Sequence, residues 1–294
     1  MFKFVRIVPF VQLAKFYPTV WRVISLFIGG RVQKRREGLF KIGRDTAMKR
    51  KNDPTKNERG DFMESLLKYS DSKEPISDAE LAGNAYILFL AGSETTATLL
   101  AGVTYWMLRT PETLKKAAQE VRSAFDREED ITFSSASAKL PYTLACLEEG
   151  LRMYPPVPTI LFRTTTEAAS VSGYAVPKGT HLGVHQMSTN WSPDNFSQAA
   201  AFHPERWLPS ALSDADSTFY NDNRDARQPF SVGPRNCIGK NLAFSEMRQI
   251  LARVLWNFDL ELVDKDLDWS NQKSFTLWQK GPLVCRISLK KDRQ

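Results

Sequence analysis

Pro229-Phe230-Ser231-Val232-Gly233-Pro234-Arg235-Asn236-Cys237-Ile238-Gly239 is the stretch on which the reading of this chain turns. A single cysteine stands at the start of a helix-forming run, behind a Gly/Pro turn. A helix N-terminus carries roughly half a positive charge and free N–H donors, so it favours thiolate over thiol. Such a thiolate serves as a nucleophile or as a metal ligand. A papain-like nucleophile needs a histidine partner, and the whole chain holds only His181, His185 and His203. His185 and His203 read as structural. Zinc needs more ligands than these surroundings offer, since neither CxxC nor HExxH occurs.

A lone axial thiolate on a heme iron needs no second protein ligand. The neighbours suit that role. Gly233 and Gly239 lack a side chain, so backbone can lie close to a flat macrocycle. Arg235, two residues from the sulfur, can pair with a carboxylate on the ring edge. Phe230 can shield the sulfur from water. The competing reading is a buried structural cysteine beside a turn, and five residue types in one spacing argue against it.

Outward from this stretch, the 294 residues are 42% hydrophobic and 25% charged, which suits a sizeable core and excludes wholesale disorder. The net charge of +7 is mild and spread out. It suits an acidic partner or an anionic surface and gives no argument for nucleic acid. Three cysteines exclude a disulfide-stapled scaffold. No segment reads as a transmembrane span, because Leu81 to Leu108 is interrupted by Asn84 and by Ser93-Glu94-Thr95-Thr96. The first thirty residues read as a helix packed on the core, with a basic amphipathic helix on a membrane as the alternative. Residues 31–61 read as a solvated basic helix and then a polar loop.

Ser77-Asp78-Ala79-Glu80 has the capping-box pattern and opens an apolar stretch that Thr110-Pro111 stops. A helix over 78–109 would be about 48 Å long at 1.5 Å per residue. Helices follow at 111–125 and 141–153. Val, Ile, Thr and Tyr rise over 157–186, which predicts short strands. An irregular Pro-rich region spans 192–236, a helix then runs to Asn257, and the tail reads as hairpin strands. The expected class is mainly α with a minor β-sheet, in a single domain over 1–294.

Phe230-x-x-Gly233-x-Arg235-x-Cys237-x-Gly239 resembles the heme-binding signature of the cytochrome P450 family, the heme-thiolate monooxygenases. Ala91-Gly92-Ser93-Glu94-Thr95-Thr96 resembles the family's oxygen-activation motif on its long distal helix. Glu149-Gly150-Leu151-Arg152 is similar to its buried Glu-x-x-Arg pair. Phe202-His203-Pro204-Glu205-Arg206-Trp207 is similar to the segment whose arginine completes that network. The resemblance runs from about residue 60 to the end. It implies the C-terminal portion of the cytochrome P450 fold, with a cysteine-ligand loop at 229–239.

The cofactor so implied is heme b (iron protoporphyrin IX), with Cys237 as its axial thiolate. Phe230, Gly233, Arg235 and Gly239 would shape its pocket, Ala91 and Gly92 would lie on its distal side, and Arg163 would be a second propionate-binding group. Glu94 and Thr95 would order water and deliver protons. On the residues alone, the Thr95 hydroxyl can bond the Ala91 carbonyl and bend the helix, whereas small-residue packing is the plainer alternative. Thr159 to Phe162 and Phe275 to Leu277 are candidate substrate contacts. Further implied are an apolar small-molecule substrate, O2, an NADPH-cytochrome reductase and association with the endoplasmic reticulum membrane, without a clear anchor in this chain. The run Pro229 to Ala243, with Arg253 to Phe258, is most similar to fungal secondary-metabolism members such as isotrichodermin-type hydroxylases.

Against the family's usual length, the Trp-x-x-x-Arg helix and other early elements lack a counterpart here, so a missing N-terminal part is expected. Two further readings stay open. One is a non-catalytic fragment with impaired heme binding, and the other a heme-thiolate isomerase or dehydratase that works without a reductase.

Overall fold

The computed structural model describes residues 17–53, 55, 58, 60–70 and 76–290. The part of the N-terminal helix expected before residue 17 lies outside the described residues. The chain divides into two compact units, residues 1–94 and 95–294.

In the first unit, α1 (Pro18–Lys51) starts on a proline and ends in Lys49, Arg50 and Lys51, cations that suit the negative end of a helix dipole. The turn after it is closed by Arg50, which donates to both carboxylate oxygens of Asp61 at 3.1 and 3.3 Å. α2 (Phe62–Ser70) follows. Ala47 of α1, Leu67 of α2 and Leu81 form the buried centre of this unit.

Leu81 belongs to α3 (Asp78–Arg109), the 32-residue helix that runs on into the second unit. Its start carries the capping box. The Glu80 amide donates to Ser77 Oγ at 3.3 Å, and the Ser77 amide donates to Glu80 Oε2 at 2.9 Å. α3 is long and apolar enough to cross a membrane by length and composition. Its second half is nonetheless protein core, because Leu99, Val103 and Met107 are buried.

The second unit places α4 (Pro111–Ala124), α6 (Pro141–Met153) and α9 (Lys240–Asn257) around that half of α3, with α5 (Phe133–Lys139) between α4 and α6 in sequence. Ala117 and Val121, Leu147 and Leu151, and Met247, Leu251 and Leu255 share one core with Leu99, Val103 and Met107. A second, aromatic core joins Tyr105 and Tyr154 to Trp269 and Trp278. The Tyr154 and Trp278 rings stack with centroids 4.6 Å apart.

The β structure is small, as the composition of 157–186 predicts. β1 (Arg163–Thr164) pairs antiparallel with β4 (His181–Leu182), and β2 (Ala169–Val171) with β3 (Tyr174–Val176). β5 (Phe258–Leu262) pairs with β6 (Cys285–Leu289), Leu260 opposite Ile287. The stretch 192–236 is less irregular than its prolines suggest. It holds single helical turns at Pro204–Trp207, Arg224–Ala226 and Gly233–Arg235 beside the short helices α7 (Gln186–Asn190) and α8 (Pro209–Ser213).

Candidate functional site

The cysteine loop is closed by its own backbone. The Cys237 amide donates to the Phe230 carbonyl at 2.8 Å, and the Asn236 amide to the Gly233 carbonyl at 3.0 Å. Two residues hold left-handed conformations to make the turn, Ser231 at φ +59° and Gly233 at φ +75°. Glycine takes that conformation without cost, whereas serine is strained by it. Contrary to the expectation from the sequence, the sulfur does not sit at the start of the helix. α9 begins at Lys240 with Gly239 as its N-cap, so Cys237 lies two residues before the cap. The Phe230 ring packs on Phe244 at 5.2 Å, which joins the loop to α9.

Cys237 is exposed and lines a cavity of about 200 Å³. Phe230, Ser231 and Arg235 of the same loop line it too, as do Thr95, Thr96 and Leu99 of α3. Leu151 of α6, Pro156, Val157, Leu161, Ala243 and Met247 complete an almost entirely apolar wall. Thr95 and Cys237, 142 positions apart in sequence, thus line one cavity.

The remaining sequence candidates, Ala91, Gly92, Glu94, Arg163, Gly233 and Gly239, do not line it. Ala91, Gly92 and Glu94 occupy the turn of α3 before Thr95, with Glu94 half-buried. Arg163 opens β1 and donates to Ser231 Oγ at 3.4 Å, beside the cavity. Of Thr159 to Phe162, only Leu161 lines the cavity, and Phe275 to Leu277 do not.

The cavity's one charged lining residue, Arg235, suits an anionic group on an otherwise apolar ligand. A Cβ built on Gly92 or Gly233 would meet nothing within 4 Å, and one on Gly239 only Cys237 Sγ at 3.9 Å. None of the three glycines lines the cavity itself. Arg235 lines the cavity, where a ligand's carboxylate could pair with it. The described residues contain no cluster of three or more potential metal ligands.

Behind the site lies a wholly buried ion network. Arg152 donates to Glu149 through Nη2 at 2.7 Å and Nε at 3.0 Å, and Arg206 Nε reaches Glu149 Oε1 at 3.1 Å. All three side chains are 0% exposed. Trp207 Nε1 and the His203 amide also donate to Glu149, at 2.8 and 2.9 Å. Burial opposes ionisation of Glu149, but the Arg152 hydrogen bond and charge, with the Arg206 charge, outweigh it and hold its pKa below the ordinary value. Arg206 is paired in turn with Asp222. Arg152 Nη1 donates to the carbonyls of Asn190 and Ala199, tying α6 to the segment that leads to the cysteine loop. Asp222 and Asn190 carry no spacing signal, and only the fold brings them in.

The model of the cytochrome P450 family matches residues 2–286. The chain is 46% identical over 290 residues to the cytochrome P450 monooxygenase olcB of Penicillium canescens, covering 98% of this chain and 59% of the relative. It is 45% identical to the trichothecene C-4 hydroxylase of Trichoderma arundinaceum, covering 97% of this chain and 58% of the relative. In fold it is similar to the retinoic acid bound cyanobacterial CYP120A1, with a TM-score of 0.73 and 22% identity over 89% of this chain and 57% of that one. The chain thus spans less than two thirds of the length of these relatives. With the cysteine loop, the long helix and the buried Glu-Arg network in one arrangement, the chain belongs to the cytochrome P450 family.

Proposed function

We propose that the protein is a heme-thiolate monooxygenase that inserts one oxygen atom from O2 into an apolar small molecule. The observation that carries this reading is the shared cavity of Thr95 and Cys237. Heme, when bound, supplies dioxygen activation, and a thiolate ligand favours O–O cleavage. The chain's own residues do the rest. Cys237 Sγ would be the single protein ligand, on a loop held by the 230–237 backbone bond. Arg235, and more weakly Arg163, would pair with propionate carboxylates at the ring edge. The glycine surfaces at 92, 233 and 239 would let backbone lie against the ring.

On the α3 side, Thr95 Oγ1 would hold a water in the cavity, and Glu94 on the adjoining position would pass protons to it from solvent. The apolar wall of Leu99, Val157 and Leu161 would exclude other water and favour an apolar substrate. Electrons would come from a flavoprotein reductase that oxidises NADPH, at the endoplasmic reticulum membrane. The likeness to a trichothecene hydroxylase supports a terpenoid or polyketide substrate in fungal secondary metabolism.

The test is a carbon monoxide difference spectrum of the dithionite-reduced, heme-reconstituted chain. A strongly red-shifted Soret band that Cys237→Ala abolishes is the expected result. A chain that holds heme without that band would overturn the reading. NADPH-dependent substrate oxidation with a fungal reductase then separates a monooxygenase from an isomerase or dehydratase, which would turn over without NADPH.

A further inference from the structure

Two glutamates stand side by side on α6, and the roles above use only the second. Glu148 pairs with an arginine outside the buried network. Arg227 Nη2 donates to Glu148 Oε2 at 2.6 Å, and Nη1 donates to the Glu148 carbonyl at 3.3 Å. The same guanidinium lies over the Trp207 ring, 4.1 Å from its centroid. That ring is the one whose Nε1 donates to Glu149. Arg227 thus meets α6 twice, directly at Glu148 and through Trp207 at Glu149.

An arginine serving only solubility would keep its head in water. The Arg227 side chain is instead 10% exposed, and its Nε is buried without a hydrogen-bond partner among the described residues. Such an orphaned N–H is unfavourable, and the ion pair and the ring contact offset it. The place of Arg227 in the chain gives this grip a use. It caps the helical turn Arg224–Ala226, and two residues later Pro229, Phe230 and Ser231 form part of the cavity wall. The turn before it is fixed, since Arg224 donates to the Arg206 carbonyl through Nη2 at 2.8 Å and Nε at 3.1 Å. Beyond it, the Gln228 carbonyl accepts from the Ser231 amide at 2.9 Å and from Gln186 Nε2 at 2.7 Å. The Phe230 carbonyl then accepts from the Cys237 amide. A short run of backbone therefore joins the Arg227 anchor to the sulfur.

We infer that Arg227 is a positioning residue for Cys237, fixing the start of the cysteine loop on α6 through Glu148 and Trp207 and so keeping the sulfur in place for ligation. It acts through the loop and touches no reacting atom. The effect on ligation rests on the heme-thiolate reading above, whereas the anchoring of the loop does not.

Hydrogen–deuterium exchange resolved to single amides, on the full chain without heme, tests the anchor alone. Arg227→Met should speed exchange of the Ser231 and Cys237 amides about tenfold. Glu148→Gln should act in the same sense, and the double variant should fall short of the product of the two. Arg227→Lys keeps the charge but neither the planar face nor the fork, and should lie between Arg227→Met and the parent. Arg122→Met is the control. It breaks an ion pair with Asp259 at the opposite end of α9 from the loop, and should leave both amides as in the parent. With heme loaded, the red-shifted carbon monoxide band should be lost several-fold faster in dilute urea in Arg227→Met and Glu148→Gln than in the parent or Arg122→Met. Unchanged exchange at both amides in Arg227→Met, an equal effect from Arg122→Met, or a band in Arg227→Met as long-lived as the parent's would overturn the inference. Should the parent itself bind no heme or lack the band, the heme-thiolate reading fails and the exchange experiment still decides the anchor.

Discussion

Cys237 and Thr95, to which we assign ligation and proton delivery, stand on two different supports. The cysteine stands on an exposed loop with two left-handed residues, the threonine on a helix whose next turn is core. Replacing the sulfur should therefore change ligation and not folding. Cys237→Ser should keep the parent's thermal midpoint within a few degrees while losing the red-shifted carbon monoxide band. A collapsed midpoint would make the residue structural. At the other wall, Thr95→Ala should keep that band and lower the product formed per NADPH consumed, by about tenfold if the hydroxyl holds the proton-delivering water. Thr95→Ser should restore most of it. Equal coupling in Thr95→Ala and the parent would remove the threonine from proton delivery. These residues were legible in the sequence because each breaks a pattern: a lone cysteine behind a turn, and a polar island in an apolar helix. Leu151, Met247 and Pro156 were not, because an apolar helical residue looks the same whether it faces a core or a cavity.

At the scale of elements, the long helix could be read from its ends. Ser77 and Glu80 exchange their bonds at the start, and Pro111 opens the next helix immediately after the stop. What a sequence does not display is the closeness of α3 to α6. A Cβ on Gly150 would run into the Val103 side chain, and one on Gly102 into the Tyr154 ring. Gly150→Ala should consequently cost about 1–3 kcal/mol through overpacking, despite alanine's better helix propensity. Denaturant unfolding measures this directly, and a stabilised variant would show that the helices yield. α5 escaped the sequence reading for the opposite reason. Phe133 to Lys139 has no apolar repeat and depends on a local box, in which Thr132 Oγ1 accepts from the Ser135 amide at 3.2 Å. Strand pairing between β5 and β6 is non-local, so composition announced the strands but not their register.

Across the whole molecule, stability is linked to proton binding through groups that the fold has buried. Glu149 is the centre, with two guanidinium groups and two N–H donors on one carboxylate. Glu149→Gln leaves those guanidinium groups less compensated and should cost about 3–5 kcal/mol, the usual penalty for breaking a buried pair. The same burial sets a pH dependence. His203 is held below its ordinary value of 6.5, by burial first and then by the Arg206 charge. Glu149 is held below 4.5 by its arginines against the opposing effect of burial. Glu205 also lies below 4.5, because its own amide, Tyr142 and Lys116 together outweigh its partial burial. In each case the unfolded chain takes up the proton first as the pH falls, so acid favours unfolding. Stability should be level between about pH 7 and pH 8, decline as the pH drops from about 6.5 through the folded value of His203, and decline again below about 4.5. His203→Gln should flatten the upper stage, since its backbone donation to Glu149 survives the change. Glu149→Gln should shrink the lower stage and leave Glu205, with the likewise lowered Glu64, Glu80 and Asp268, to supply what remains. Urea midpoints taken from pH 4 to pH 8 on the parent and the two variants decide the matter. A parent midpoint that rises on acidification, or an upper stage that persists in His203→Gln, would show that other groups govern the linkage.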